Sequence, residues 1–132
     1  MKKSNFYSLI ATLALIIAIF ISGCKKKADD PVPSFTFSAD TVMLVGGVPG
    51  VQFYAKCTNN GVSMGNVTLT TPQDSLYIYN HNGASFAQNA LIPLQGTNQA
   101  YPRRIGTWKI NLTGNSTGGT AFAMDATIAV SK

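Results

Sequence analysis

The last third of the chain alternates, and this limits it more than any other feature. Trp108, Ile110 and Leu112 are interleaved with Lys109, Asn111 and Thr113. Phe122, Met124, Ala126, Ile128 and Val130 are interleaved with small or polar residues. A period of two sends successive side chains to opposite faces of a strand, so each segment has one face to bury and one to wet. Between the two segments, Gly114-Asn115-Ser116-Thr117-Gly118-Gly119 reads as a flexible hairpin connection.

The same period recurs upstream. Phe35 and Phe37 share a face in Ser34–Ser38, and Thr41–Val45 is a short apolar run ended by Gly46-Gly47. Val51, Phe53, Ala55 and Cys57 alternate with Gln52, Tyr54, Lys56 and Thr58. Val67 and Leu69 lie on one side of Asn66–Thr70, Leu76 and Ile78 alternate with Tyr77 and Tyr79, and Ala90, Ile92 and Leu94 form a further series. Turn clusters stand between them, among them Asn59-Asn60-Gly61, Asn80-His81-Asn82-Gly83 and Gly96-Thr97-Asn98. The 99 residues from Ser34 to Lys132 contain no glutamate and no helical period, and suit one domain with one core. The expected class is all-β: seven to eight antiparallel strands closed as a sandwich or barrel. Gly106-Thr107-Trp108-Lys109-Ile110-Asn111-Leu112-Thr113-Gly114 with its long final strand resembles the closing hairpin of bacterial Ig-like modules. That resemblance implies an Ig-like β-sandwich and no particular function.

The other end of the chain has a different character. Lys2 and Lys3 precede thirteen uncharged residues, Leu9–Ile21, which is the length of a secretory h-region and short of the about 20 apolar residues of a membrane span. Ile21-Ser22-Gly23-Cys24 follows directly and resembles the lipobox of bacterial lipoproteins. The resemblance implies that residues 1–23 form a cleaved signal helix and that the Cys24 thiol takes a diacylglyceryl group. It further implies that the freed amine is acylated in turn, for instance with palmitate. Two or three chains hold a protein stably on a bilayer where one does not. Residues 24–33 then read as a disordered, lipidated tether. Lys25–Asp30 resembles the Bacteroidetes export signal that carries lipoproteins to the outer face of the outer membrane, which implies a cell-surface position, with the periplasmic face as the alternative.

Charge and cysteine content fit this division. From Ser34 onward Lys56, Arg103, Arg104, Lys109 and Lys132 face Asp40, Asp74 and Asp125, a net charge of +2. The basic character is thus concentrated at the membrane end, beside lipid phosphates, and gives no reason to expect a nucleic-acid partner. With Cys24 lipidated, Cys57 has no partner in the chain and reads as a small buried apolar residue.

The sequence offers little catalytic chemistry. His81 is the one histidine and reads as a solvated turn residue, and the three aspartates of the domain are far apart in sequence. No nucleophile elbow, zinc-ligand spacing, calcium loop or phosphate loop is present, so the expectation is a non-enzyme with no metal and no cofactor. The binding inventory is richer. If Val51–Cys57 and Leu76/Ile78 face the core, then Gln52, Tyr54, Lys56, Tyr77 and Tyr79 form a wet platform suited to a glycan or a protein. Tyr101-Pro102-Arg103-Arg104 is a second exposed candidate for an anionic glycan. Asp40-Thr41-Val42 and Asp74-Ser75-Leu76 resemble the Bacteroidetes O-glycosylation pattern, which implies acceptors at Thr41 and Ser75. The leading expectation is a surface-anchored interaction module, and the runner-up is an accessory subunit of an envelope complex with no ligand of its own.

Overall fold

In the computed structural model, which describes residues 29–132, eight strands form two antiparallel sheets packed as an Ig-like sandwich. The signal segment, Cys24 and the first part of the tether lie outside the described residues. One sheet holds β1 (Phe35–Met43), β2 (Pro49–Cys57) and two short strands, β5 (Ile92–Pro93) and β6 (Tyr101–Pro102), which share the second edge of β2. The other runs β4 (Leu76–Phe86), β3 (Val62–Thr70), β7 (Gly106–Ser116), β8 (Ala121–Val130).

The alternation at β2, β7 and β8 is realised as the period demands. Val51, Phe53, Ala55 and Cys57 of β2 are all buried, as are Trp108, Ile110 and Leu112 of β7. Phe53 and Trp108 meet across the sandwich with ring centroids 4.8 Å apart, and this pair occupies the middle of the core. Phe122, Met124, Ala126 and Ile128 of β8 pack against the same cluster from the side. Cys57 is buried there as a free thiol.

Three boundaries differ from the sequence reading. Ser34–Ser38 and Thr41–Val45 belong to one strand, because Ala39 and Asp40 continue the pairing with Phe53 and Gln52 without a break. β3 starts earlier, at Val62, and buries Val62 and Met64 before Gly65. The Asn80–Gly83 segment is a bulge inside β4 rather than a turn between strands. Met64 pairs with Ala84 and Asn66 with Asn80, so three β4 residues stand opposite Gly65 alone. Asn82 and Gly83 take positive φ there, and the Asn80 carboxamide accepts a hydrogen bond from the Asn82 amide at 2.7 Å.

The part of the tether seen here is held to the domain. Asn59 donates from Nδ2 to the Val32 carbonyl at 2.9 Å and accepts at Oδ1 from the Ser34 amide at 2.9 Å. Asn60 donates to the Asp30 carboxylate at 3.2 Å, and Pro33 is buried. A Cβ on Gly118 would lie 2.5 Å from the Asp30 carboxyl carbon, so any other residue there would displace this carboxylate. Asp30–Pro33 is therefore held across one pole of the sandwich by the side chains of Asn59 and Asn60.

Candidate functional site

The aromatic platform expected on β2 and β4 is divided between two surfaces. Gln52, Tyr54 and Lys56 do share the outer face of β2, where the Tyr54 hydroxyl donates to Gln52 Oε1 at 3.1 Å and Gln52 Nε2 donates to the Gln99 carbonyl at 2.9 Å. In β4 the faces are reversed: Leu76 and Ile78 are 62% and 69% exposed, while Tyr77 and Tyr79 turn inward. Tyr77 stacks on Tyr101 at 4.2 Å and lies 6.3 Å from Trp108. A phenol ring reaches over the rim of the core and keeps its hydroxyl near water, which Leu or Ile cannot do. The three tyrosines thus form no common surface.

Tyr101 is likewise half-buried in this stack rather than exposed, and burial, then the neighbouring Tyr77 phenol, raises its pKa above the usual tyrosine value. His81 is buried, not solvated. Its Nε2 lies 2.8 Å from the Pro93 carbonyl, which can only accept, so Nε2 carries the proton. Tyr79 and Phe86 meet the imidazole edge-on at 4.8 and 5.3 Å. Burial lowers its pKa below 6.5, partly opposed by the bond to Pro93. No carboxylate or nucleophile stands among these neighbours, and no group of three metal-ligating side chains is brought together among the described residues. Thr41 and Ser75 are both exposed.

The wet face of the second sheet carries an open depression of about 510 Å³ lined by Thr68, Thr70, Lys109, Asn111, Asp125 and Thr127. Within it Asn111 donates to Asp125 at 2.8 Å, and Lys109 lies 3.9 Å from Asp74 outside it.

The most unusual surface is at a pole. The β1–β2 connection brings Met43-Leu44-Val45-Gly46-Gly47-Val48-Pro49 to the tip of the sandwich, a stretch without one polar side chain. Leu44 and Val48 close the turn, with the Leu44 amide donating to the Val48 carbonyl at 2.8 Å and the Gly47 amide to the Leu44 carbonyl at 3.1 Å. Gly46 and Gly47 supply the positive φ, 84° and 75°, that such a turn needs. Met43 and Val45 are 70% and 102% exposed. Beside them Val48, Pro49, Pro102, Arg103, Ile105 and Lys132 line a depression of about 300 Å³. The Arg103 amide donates to the Pro49 carbonyl at 2.9 Å, and its guanidinium bonds the Ser131 carbonyl. Arg104 follows, donating weakly to Gln73 at 3.4 Å.

Connections are normally polar because they face water, so an exposed apolar tip flanked by cations is the feature that most needs a partner. Sequence reading missed it by assigning Leu44 and Val45 to a strand end. The signal was present: the five residues between two amphipathic strands, Leu44–Val48, contain nothing polar. Comparison with known proteins adds no identity, since no family model fits the sequence and neither a curated protein nor a solved structure shows significant similarity.

Proposed function

We propose that this chain is an exported lipoprotein, anchored through Cys24 to the surface side of the outer membrane, whose sandwich is a non-enzymatic interaction module. The observation that carries the reading is the opposition of two poles. Asp30–Pro33 is held at one end of β1, and the Met43–Pro49 tip stands at the other, nine residues or about 26 Å away. From Cys24 to Asp30 six residues span at most about 21 Å. A lipid on Cys24 therefore leaves too little chain for the domain to stand on its tip against the same membrane. An upright domain turns the apolar, cation-flanked pole outward, away from the anchoring bilayer.

A protein partner fits this pole better than a glycan does. Sugar rings are usually held on aromatic faces, and the tip offers aliphatic side chains and arginine instead. An apolar knob entering a partner's pocket, with Arg103 and Lys132 at a polar rim, is the usual anatomy of a protein contact.

A photo-crosslinking residue placed at Val45 in intact cells tests the idea. One discrete adduct is expected, lost when Val48 is changed to Asp, while the same probe at Thr127 gives none. Diffuse labelling from both positions, or none from Val45, would remove the pole from consideration. Cys24→Ala should release the protein from membranes and abolish incorporation of labelled palmitate. A complex of fixed stoichiometry in solubilised membranes, unaffected by Val48→Asp, would favour the accessory-subunit reading.

A further inference from the structure

The two sheets have four outer edges, and three of them are protected. β1 and β8 lie side by side, with Phe35 and Phe122 ring centroids 5.5 Å apart, and each of these strands carries an aspartate, Asp40 and Asp125. β5 and β6 are two residues long and each contains a proline, Pro93 and Pro102. Short strands, prolines and charges are the usual defences against edge-to-edge pairing.

β4 is the exception. Its eleven residues, Leu-Tyr-Ile-Tyr-Asn-His-Asn-Gly-Ala-Ser-Phe, include neither a charge nor a proline. The bulge at residues 81–83 disturbs its second half, but Leu76–Asn80 is regular and pairs with Thr70–Asn66 of β3. Among the described residues, the backbone of 76–80 makes no hydrogen bond other than those of the strand ladder. The side chains flanking this open edge on the wet face are Leu76 and Ile78, 62% and 69% exposed.

We propose that Leu76–Asn80 is a strand-addition site whose occupant is a second copy of this chain, joined antiparallel about a two-fold axis at Ile78. The bulge selects the register. Centring on Ile78 sets Leu76–Asn80 against the same five residues, the longest overlap that avoids the bulge on both sides. Ile78 then faces Ile78 of the partner subunit on the wet side, and Tyr77 faces Tyr79 of the partner subunit on the core side. Aliphatic meets aliphatic and aromatic meets aromatic, the favourable cross-strand pairings. Like charges are the common penalty of self-pairing, and this strand has none to oppose. Five residues a side bury less than the roughly 1,200 Å² of a standard stable interface, so the dimer is weak and concentration-dependent.

Cysteine cross-linking of the full-length chain decides the register. Opposed residues in an antiparallel pair have Cα atoms about 4.5–5.5 Å apart, within disulfide range. Under a mild oxidant, Ile78→Cys should form a covalent dimer. Leu76→Cys mixed with Asn80→Cys should form one as well, whereas Leu76→Cys alone should give at least tenfold less. Thr127→Cys, on the same sheet face but on β8 at the opposite edge, reports random collision. Cross-linking of Thr127→Cys at the rate of Ile78→Cys would overturn the proposal, as would efficient homodimers of Leu76→Cys or no dimer from Ile78→Cys. An Ile78→Cys adduct of another mass would show that a foreign strand, not a second copy, fills the edge.

Discussion

β2 and β4 are written in similar letters and bury opposite sets. Both alternate apolar residues with tyrosine or polar ones, and both bring an aromatic ring to Trp108, Phe53 at 4.8 Å and Tyr77 at 6.3 Å. In β2 the residues turned inward are Val51, Phe53, Ala55 and Cys57, and Tyr54 stays outside. In β4 the tyrosines turn inward, and Leu76 and Ile78 face water. The difference lies in position. β2 lies inside its sheet, between β1 and the pair β5 and β6, and its inner face packs against the buried residues of β3 and β7 in the opposite sheet. β4 is an edge facing two very short strands, and there a side chain must reach sideways to cover the core. Tyr77 does so by lying on Tyr101 at 4.2 Å. At the centre of a sandwich hydrophobicity decides which face is buried, and at its rim reach decides.

Truncation breaks or sharpens this contrast. Phe53→Ala empties the centre of the core and should cost about 3–5 kcal/mol in urea unfolding. Tyr77→Ala should cost less, about 2 kcal/mol, because the ring is only half-buried and water can enter the gap. Equal losses at the two positions would mean that the rim is packed as tightly as the centre.

The same contrast explains what the sequence could tell. The faces of β2, β7 and β8 were readable because each has one clearly apolar set, and the glycine-rich 114–119 loop marked the final hairpin. In β4 both sets are apolar enough to be buried, and periodicity defines two faces without naming the inner one. His81 was unreadable for a related reason. Asn80-His81-Asn82-Gly83 has turn chemistry, and here it builds a bulge that turns the imidazole under Pro93. The hairpin pole was hidden because Leu44 and Val45 extend an apolar run that ends as a strand only at Met43.

His81 gives the rim a pH signature. Its folded pKa lies below 6.5, the value it regains on unfolding, so the unfolded chain binds the proton more tightly. Its contribution to stability is therefore complete above pH 6.5 and declines as pH falls through 6.5 toward the lower folded value. His81→Gln keeps a donor for the Pro93 carbonyl and cannot titrate in this range. The difference in unfolding free energy between the two proteins should be flat from pH 7 to 8 and shrink below pH 6. An unchanged difference down to pH 5 would place the imidazole in water, and the inward face of β4 would have to be redrawn.

The smallest effect is the most discriminating. Ile78 is apolar and lies in mid-strand, so a strand facing the core with its aliphatic set would lose about 2–4 kcal/mol on Ile78→Thr. In the arrangement seen here the side chain is 69% exposed, and threonine keeps the β-branch that suits an extended backbone. The cost should stay within about 0.5 kcal/mol, as for surface substitutions elsewhere. Dilute protein is needed, because association through the β4 edge would add a concentration-dependent part to the apparent stability. A near-zero effect in dilute solution that grows with wild-type concentration would separate the two roles of this residue. It would show that Ile78 contributes little to the fold and that its aliphatic surface is left for contact between chains.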